Sequence, residues 1–203
     1  MVGSGFISEW LKFFFLLTPF FVLSVFLTYT STFSIKEKQW VAIRVTIAVT
    51  IICAILIVFG GHIFSLFGIT LDSFRVGAGV LLFLSGINLA RDTGKTQAGG
   101  ESMKTMAVVP LSIPVTVGPA TTGALLIAGA DMRVQGIQYG VISGLLAGIL
   151  SVGAILYLGS QIRRLIGETG IVILSRLTGL VLTAIAAQIL FDGINGLLAN
   201  QAK

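Results

Sequence analysis

At 203 residues, 55% hydrophobic and 10% charged, with a mean hydropathy of +1.02, the chain lies outside the range of water-soluble domains, in which about a quarter of residues are charged. Its net charge of +5 would suggest nucleic acid in a soluble protein. Here the basic residues sit mainly in polar breaks between apolar runs, as in membrane loops, and no cluster of aromatic and basic residues accompanies them, so no nucleic-acid partner is expected. The partner that the composition implies is the lipid bilayer.

Residues 1–9 are short and polar, and the apolar run 10–33 is too long for a signal-peptide core and lacks an A-x-A site. It reads as a retained first span, interrupted at FLLTPFF by Pro19. The polar turn 34–39 leads to a second span, 40–59, which contains Cys53, the single cysteine and a simple packing residue. Gly60, Gly61 and His62 should begin a connector that hugs the membrane surface as far as Thr70, before a third span over 74–90. RDTGKTQAGGESMK, residues 91–104, is the longest polar run and divides the chain nearly in half. Spans four to six are expected over 105–129, 138–158 and 170–198, with connectors around 131–133 and 163–168. Each run reaches or approaches the ~20 apolar residues that cross a bilayer. The fold class is therefore all-α, a polytopic membrane domain of six spans.

The second half repeats the first. Pro19 and Pro119, and Asn88 and Gln188, lie 100 residues apart, and Arg75 and Arg176 lie 101 apart. Three spans per half is an odd number, so the second copy enters the membrane in the opposite sense: two inverted three-helix repeats, 10–90 and 105–198, with proline-broken helices one and four. In such repeats the ligand site lies near the midplane, where broken helices meet. Lys and Arg are concentrated in connectors one-two, three-four and five-six with their adjoining helix ends, nine against four elsewhere. This predicts a cytoplasmic 91–104 loop and both termini outside. Spans two and five carry small residues at every fourth position, Ala42, Thr46, Thr50 and Ala54, and Gly136, Gly140, Gly144 and Gly148, which read as helix-packing seams.

The densest signal is VPLSIPVTVGPATTG, residues 109–123, which places Pro110, Pro114 and Pro119 inside an apolar segment. An interior proline costs a helix about 3 kcal/mol, and irregular backbone at membrane depth survives only where protein or a wet cavity surrounds it. Ser112, Thr116, Thr121 and Thr122 supply hydroxyls beside the breaks. Gly118-Pro119 favours a break followed by a new helix, with the amides of Ala120, Thr121 and Thr122 aimed forward as a weakly positive site for a carboxylate.

FGITLDSFRVGAGVLLF from Phe67, VVPLSIPVTVGPATT from Val108, and LSRLTGLVL from Leu174, followed by Gln188 and Asp192-Gly193, resemble the MarC family of bacterial six-span inner-membrane proteins over essentially the whole chain. The resemblance implies a transporter of small neutral amino acids such as glycine and alanine, coupled to protons or a monovalent cation, with no cofactor. Many relatives carry Asn-Pro where this chain has Thr18-Pro19, a departure that bears on substrate preference.

In the transporter reading the Thr18-Pro19 and Gly118-Pro119 breaks face each other across a cavity. Thr116, Gly118, Pro119, Ala120, Thr121 and Thr122 form the carboxylate side, and Thr18, Asn88 and Gln188 offer neutral partners to an ammonium group or to helix ends. Asn88 and Gln188 have interhelical hydrogen bonding as their alternative role. Arg75 and Arg176 read as anchors or gate-forming ion pairs near span ends, with Asp72 three residues before Arg75 as a partner. No carboxylate occupies the middle of an expected span, so proton coupling has no evident carrier. The chain has no HExxH motif, no pair of membrane-depth aspartates and no serine partner at comparable depth for its single histidine, so catalysis is not expected. A passive small-solute channel and a membrane scaffold without transport remain the alternatives.

Overall fold

The computed structural model describes residues 2–91, 116–135 and 138–201, and over these the protein is helical, without strands. The helices are α1 (Val2–Leu16), α2 (Pro19–Tyr29), α3 (Ile35–Phe67), α4 (Leu71–Arg91), α5 (Pro119–Gln135), α6 (Tyr139–Tyr157) and α7 (Gly159–Gln201). Among the described residues five stretches are long and apolar enough to cross a membrane: Gly5–Tyr29, which joins α1 to α2, Ile35–Gly60, Leu71–Arg91, Tyr139–Tyr157 and Gly159–Ala199. The expected fourth span is described only from Thr116 onward; Pro110, Ser112, Pro114 and Gly136 lie outside the described residues.

The helices turn apolar side chains both outward and inward, as lipid-facing helices must. On α3, Ile43, Ile47, Ile51 and Ile55 are exposed at every fourth position, while Ala42, Val45, Val49 and Cys53 are buried on the opposite face. Small side chains on the inward face bring neighbouring backbones close, because packing rather than the hydrophobic effect drives helix association in lipid.

Three close seams organise the bundle. Along α4 and α7, Gly79 meets Leu190, Gly86 meets Thr183, Gly179 meets Ala90 and Gly193 meets Arg75 and Val76, a falling register that makes the two helices antiparallel. Along α1 and α6, Gly144 abuts Glu9 and Trp10 while Gly148 abuts Phe13 and Phe14, so these two run parallel. The Trp10 indole N–H donates to Ser151 Oγ at 3.0 Å across the same seam. α3 and α5 cross where Gly60 faces the Leu126 backbone and Gly129 faces that of Ile57. Of the two expected small-residue stripes, Gly144, Gly148 and Thr46 (against Gly153) lie in seams, whereas Gly140 has open space beside it and Ala54 is exposed.

Several expected boundaries move. α3 begins at Ile35 rather than after a turn, because Ser34 and Glu37 form a reciprocal capping box. It then passes through the expected connector at Gly60, Gly61 and His62 and ends at Gly68, which adopts φ 64° and ψ 23°. Gly60 is needed for close approach, since a Cβ there would lie 2.4 Å from the Leu126 carbonyl oxygen; the turning glycine is Gly68. The connector expected around 163–168 is likewise helical on either side of a single break at Gly167, φ 70° and ψ 175°. That break splits a 43-residue element of roughly 60 Å at 1.5 Å per residue, twice the ~30 Å hydrocarbon thickness.

Candidate functional site between two broken helices

The α1–α2 break follows from Pro19, which has no amide hydrogen to continue α1. Leu17 N donates to Phe13 O and Thr18 N to Phe15 O, both at 3.0 Å, and Thr18 then takes φ 47° and ψ 57° before α2 starts with Pro19 in its first turn. Thr18 is the one non-glycine residue with positive φ among those described. A β-branched residue in this region is strained, and the surrounding packing must hold it there. Leu16, Leu17, Pro19, Val22 and Phe26 around the break are all buried.

Ending α1 at Leu16 deprives the carbonyl of that residue of the amide four residues on. Thr121, in the first turn of α5, supplies the replacement: its hydroxyl donates to Leu16 O at 3.2 Å in a buried contact. The α1–α2 break thus touches the first turn of α5. α5 itself opens with Pro119, and the Thr122 amide donates to Gly118 O at 2.8 Å. This corrects one detail of the sequence reading, since the Thr122 amide closes the first helical turn and does not point forward; only the amides of Ala120 and Thr121 precede that bond. Thr116 and Ala120 are buried, Thr18, Gly118 and Thr122 partly so, and Pro119 is exposed.

Other expected members lie elsewhere. Asn88 is on an exposed face of α4, and Gln188 is on an exposed face of α7, where its amide donates to Asp192 Oδ1 one turn along the same helix at 2.9 Å. Neither reaches the breaks. Arg176 is on an exposed face of α7, unlike its sequence counterpart Arg75. Arg75 pairs with Asp72 at 2.8 Å, as its three-residue spacing suggests, and also with Asp131 at the end of α5 at 2.5 Å. This second bond ties α4 to α5. Sequence reasoning passed over Asp131, for which the available signal was a carboxylate near a span end on the same expected face of the membrane as Arg75.

Two cavities adjoin these elements. One, about 100 Å³, has Lys12, Arg75, Asp131 and Asp192 among its lining and runs down to Leu16 and Ala124 beside the breaks. The other, about 580 Å³, lies between the end of α2 and the start of the crossing part of α7, with Ser24, Thr28, Ser31, Arg163, Glu168 and Thr169 in its lining. Arg163 and Glu168 form an ion pair there.

A family model for MarC family integral membrane proteins matches residues 3–198. The chain belongs to the MarC family. Known relatives carry the same architecture name without a stated substrate: a UPF0056 membrane protein of Methanocaldococcus jannaschii is 34% identical over 203 residues, covering 95% of this chain and 97% of that protein. A UPF0056 membrane protein of Aquifex aeolicus is 25% identical, covering 98% of this chain and 96% of the relative, and the UPF0056 membrane protein YhcE of Escherichia coli is 26% identical, covering 90% and 88%. No solved structure matches the chain. MarC membership establishes an integral membrane protein, with relatives in both archaea and bacteria.

Proposed function

We propose that this MarC protein is a secondary transporter of small neutral amino acids of the glycine or alanine class, coupled to protons or a monovalent cation, in which two inverted repeats alternate access to a site beside the paired breaks. The observation that carries the reading is the buried contact of Thr121, in the first turn of α5, with Leu16 at the α1–α2 break, next to a cavity lined by charges of both signs. An amino-acid zwitterion carries both signs on a small frame. A space of about 100 Å³ suits such a solute, against about 300–1,000 Å³ for sites that take drug-sized ligands.

The inverted-repeat part is supported by reciprocal contacts in the α4–α7 seam. Gly79 meets Leu190, and moving each residue by 100 positions gives Gly179 against Ala90, which is also a contact. Antiparallel helices that exchange in this way are related by a twofold axis perpendicular to them, hence in the membrane plane. One helix pairing agrees: α2 packs on α7 as α5, which begins 100 positions later at Pro119, packs on α4. In this reading the protein sits in the cell's inner membrane with both termini outside and the 91–104 loop in the cytoplasm, as the distribution of Lys and Arg suggests.

The test is uptake of labelled glycine and alanine into proteoliposomes, with and without a pH gradient and with unlabelled solute preloaded. Saturable uptake stimulated by the preloaded solute is the expected result. Linear, non-saturating flux would replace the carrier by a channel, and the absence of flux from folded, reconstituted protein would remove transport of these solutes.

A further inference from the structure

We infer that the two cavities are the two alternating mouths of one solute path, that the structure is closed on the α3–α4 face and open on the α2–α3 face, and that the Arg75–Asp131 bond is the lock on the closed side. The inference rests on the transport reading for its solute, a small zwitterion, but its geometry stands on separate observations.

The first is position. Ser24, Leu27, Thr28 and Ser31 line the larger cavity; Ala124, Ile127, Ala128 and Asp131 line the smaller one. Each residue of the first set is 100 positions before its counterpart in the second. Four lining positions in a row at the spacing of the reciprocal α4–α7 contacts mean that the same face of α2 and of α5 borders a cavity. The two cavities lie at opposite ends of the first span, because Lys12 belongs to the smaller one and Ser24 to the larger.

The second is size. The equivalent faces of α2 and α5 border about 580 Å³ at one end and about 100 Å³ at the other. Two halves of one inverted pair in different conformations is what alternating access requires.

The third is chemistry. In the smaller cavity Asp131 reaches across to Arg75, which Asp72 also holds, so α5 is bonded to the start of α4. In the larger cavity the position equivalent to Asp131 is Ser31, which has no carboxylate to reach across, and the ion pair there, Arg163 with Glu168, lies within α7 and ties it to no neighbour. Beside that pair the lining carries the hydroxyls of Ser24, Thr28, Ser31 and Thr169, which can hydrogen-bond either end of a zwitterion.

The experiment starts from the Cys53→Ala protein and adds a single cysteine at Thr28 or Ala128, which are repeat counterparts. Membrane-impermeant maleimide is applied to vesicles of each orientation. Thr28→Cys is expected to react from the α2–α3 face, and Ala128→Cys at least tenfold more slowly, from the α3–α4 face. Adding Asp131→Ser should raise the rate at position 128 at least tenfold and lower it at 28 severalfold, as the lock is lost and the population shifts. Asp131→Asn, which keeps the side-chain volume, should act in the same direction, so that a misfolded serine variant does not end the test. Reaction of both positions from one face, or rates indifferent to both Asp131 substitutions, would overturn the inference. Labelling that follows this pattern in a protein that moves no glycine or alanine would sink the substrate reading alone.

Discussion

The α4–α7 seam and the two cavities are built from positions related by the same spacing of 100 residues, yet the seam looks alike from either half and the cavities do not. Gly79 and Gly179 each press against the opposite helix, Leu190 and Ala90, with no room for a Cβ. Asp131 and Ser31 occupy matching places, yet one closes a small cavity by an ion pair and the other borders a large one. Tight backbone contact tolerates one geometry, because packed interiors resist compression. A contact made by side chains across a gap can be made or released. The seam therefore suits an axis and the cavities suit a moving part.

The largest expected effect comes from breaking the seam. Gly179→Val sets its side chain against the backbone of Ala90 and Gly86, within 3 Å, where nothing flexible can yield. It should destabilise the protein by about 3 kcal/mol or more, the upper part of the overpacking range, and abolish a monodisperse detergent-solubilised peak. Gly77→Val on the same helix pair, at a glycine with open space around it, should leave that peak in place. Equal behaviour of the two variants would show that the seam is not the rigid element.

A smaller effect is expected at the contact between the breaks. Thr121→Val keeps the volume but leaves the Leu16 carbonyl without its buried donor, at a cost of about 1–2 kcal/mol. The melting temperature in detergent should fall, and it should fall less for Thr122→Val, since that position uses its backbone amide and keeps it. Equal loss of stability in both would remove the special role of Thr121.

The smallest effect sharpens the picture of the first break. Asn accepts the left-handed conformation more readily than a β-branched residue, so Thr18→Asn should raise stability by about 1 kcal/mol. An unchanged or lower melting temperature would mean that the Thr18 side chain makes a contribution that outweighs the strain.

Much of the architecture was readable from the chain. Long apolar runs imply helices because backbone polar groups in hydrocarbon must be bonded within the segment. Pro19 announced the α1–α2 break and Pro119 the start of α5. The Asp72–Arg75 pair was readable because three residues along a helix bring side chains together. The role of Gly60 was not: a glycine in a run signals a turn and a close contact equally, and only the approach of the Leu126 backbone decides between them. Asn88 and Gln188 misled for a related cause, since a helix has two faces and apolar residues lie on both in a membrane. Polarity inside a span does not say which face it occupies.

Local rules, then, were enough for the helices and the break at Pro19, because each depends on bonds within a few residues. Tertiary structure alone decided that Thr121 serves Leu16, that Asp131 rather than Asp72 alone holds Arg75, and that equivalent faces of α2 and α5 border unequal cavities. These depend on which helix faces meet between residues far apart in the chain, 56 positions for Arg75 and Asp131 and 105 for Leu16 and Thr121.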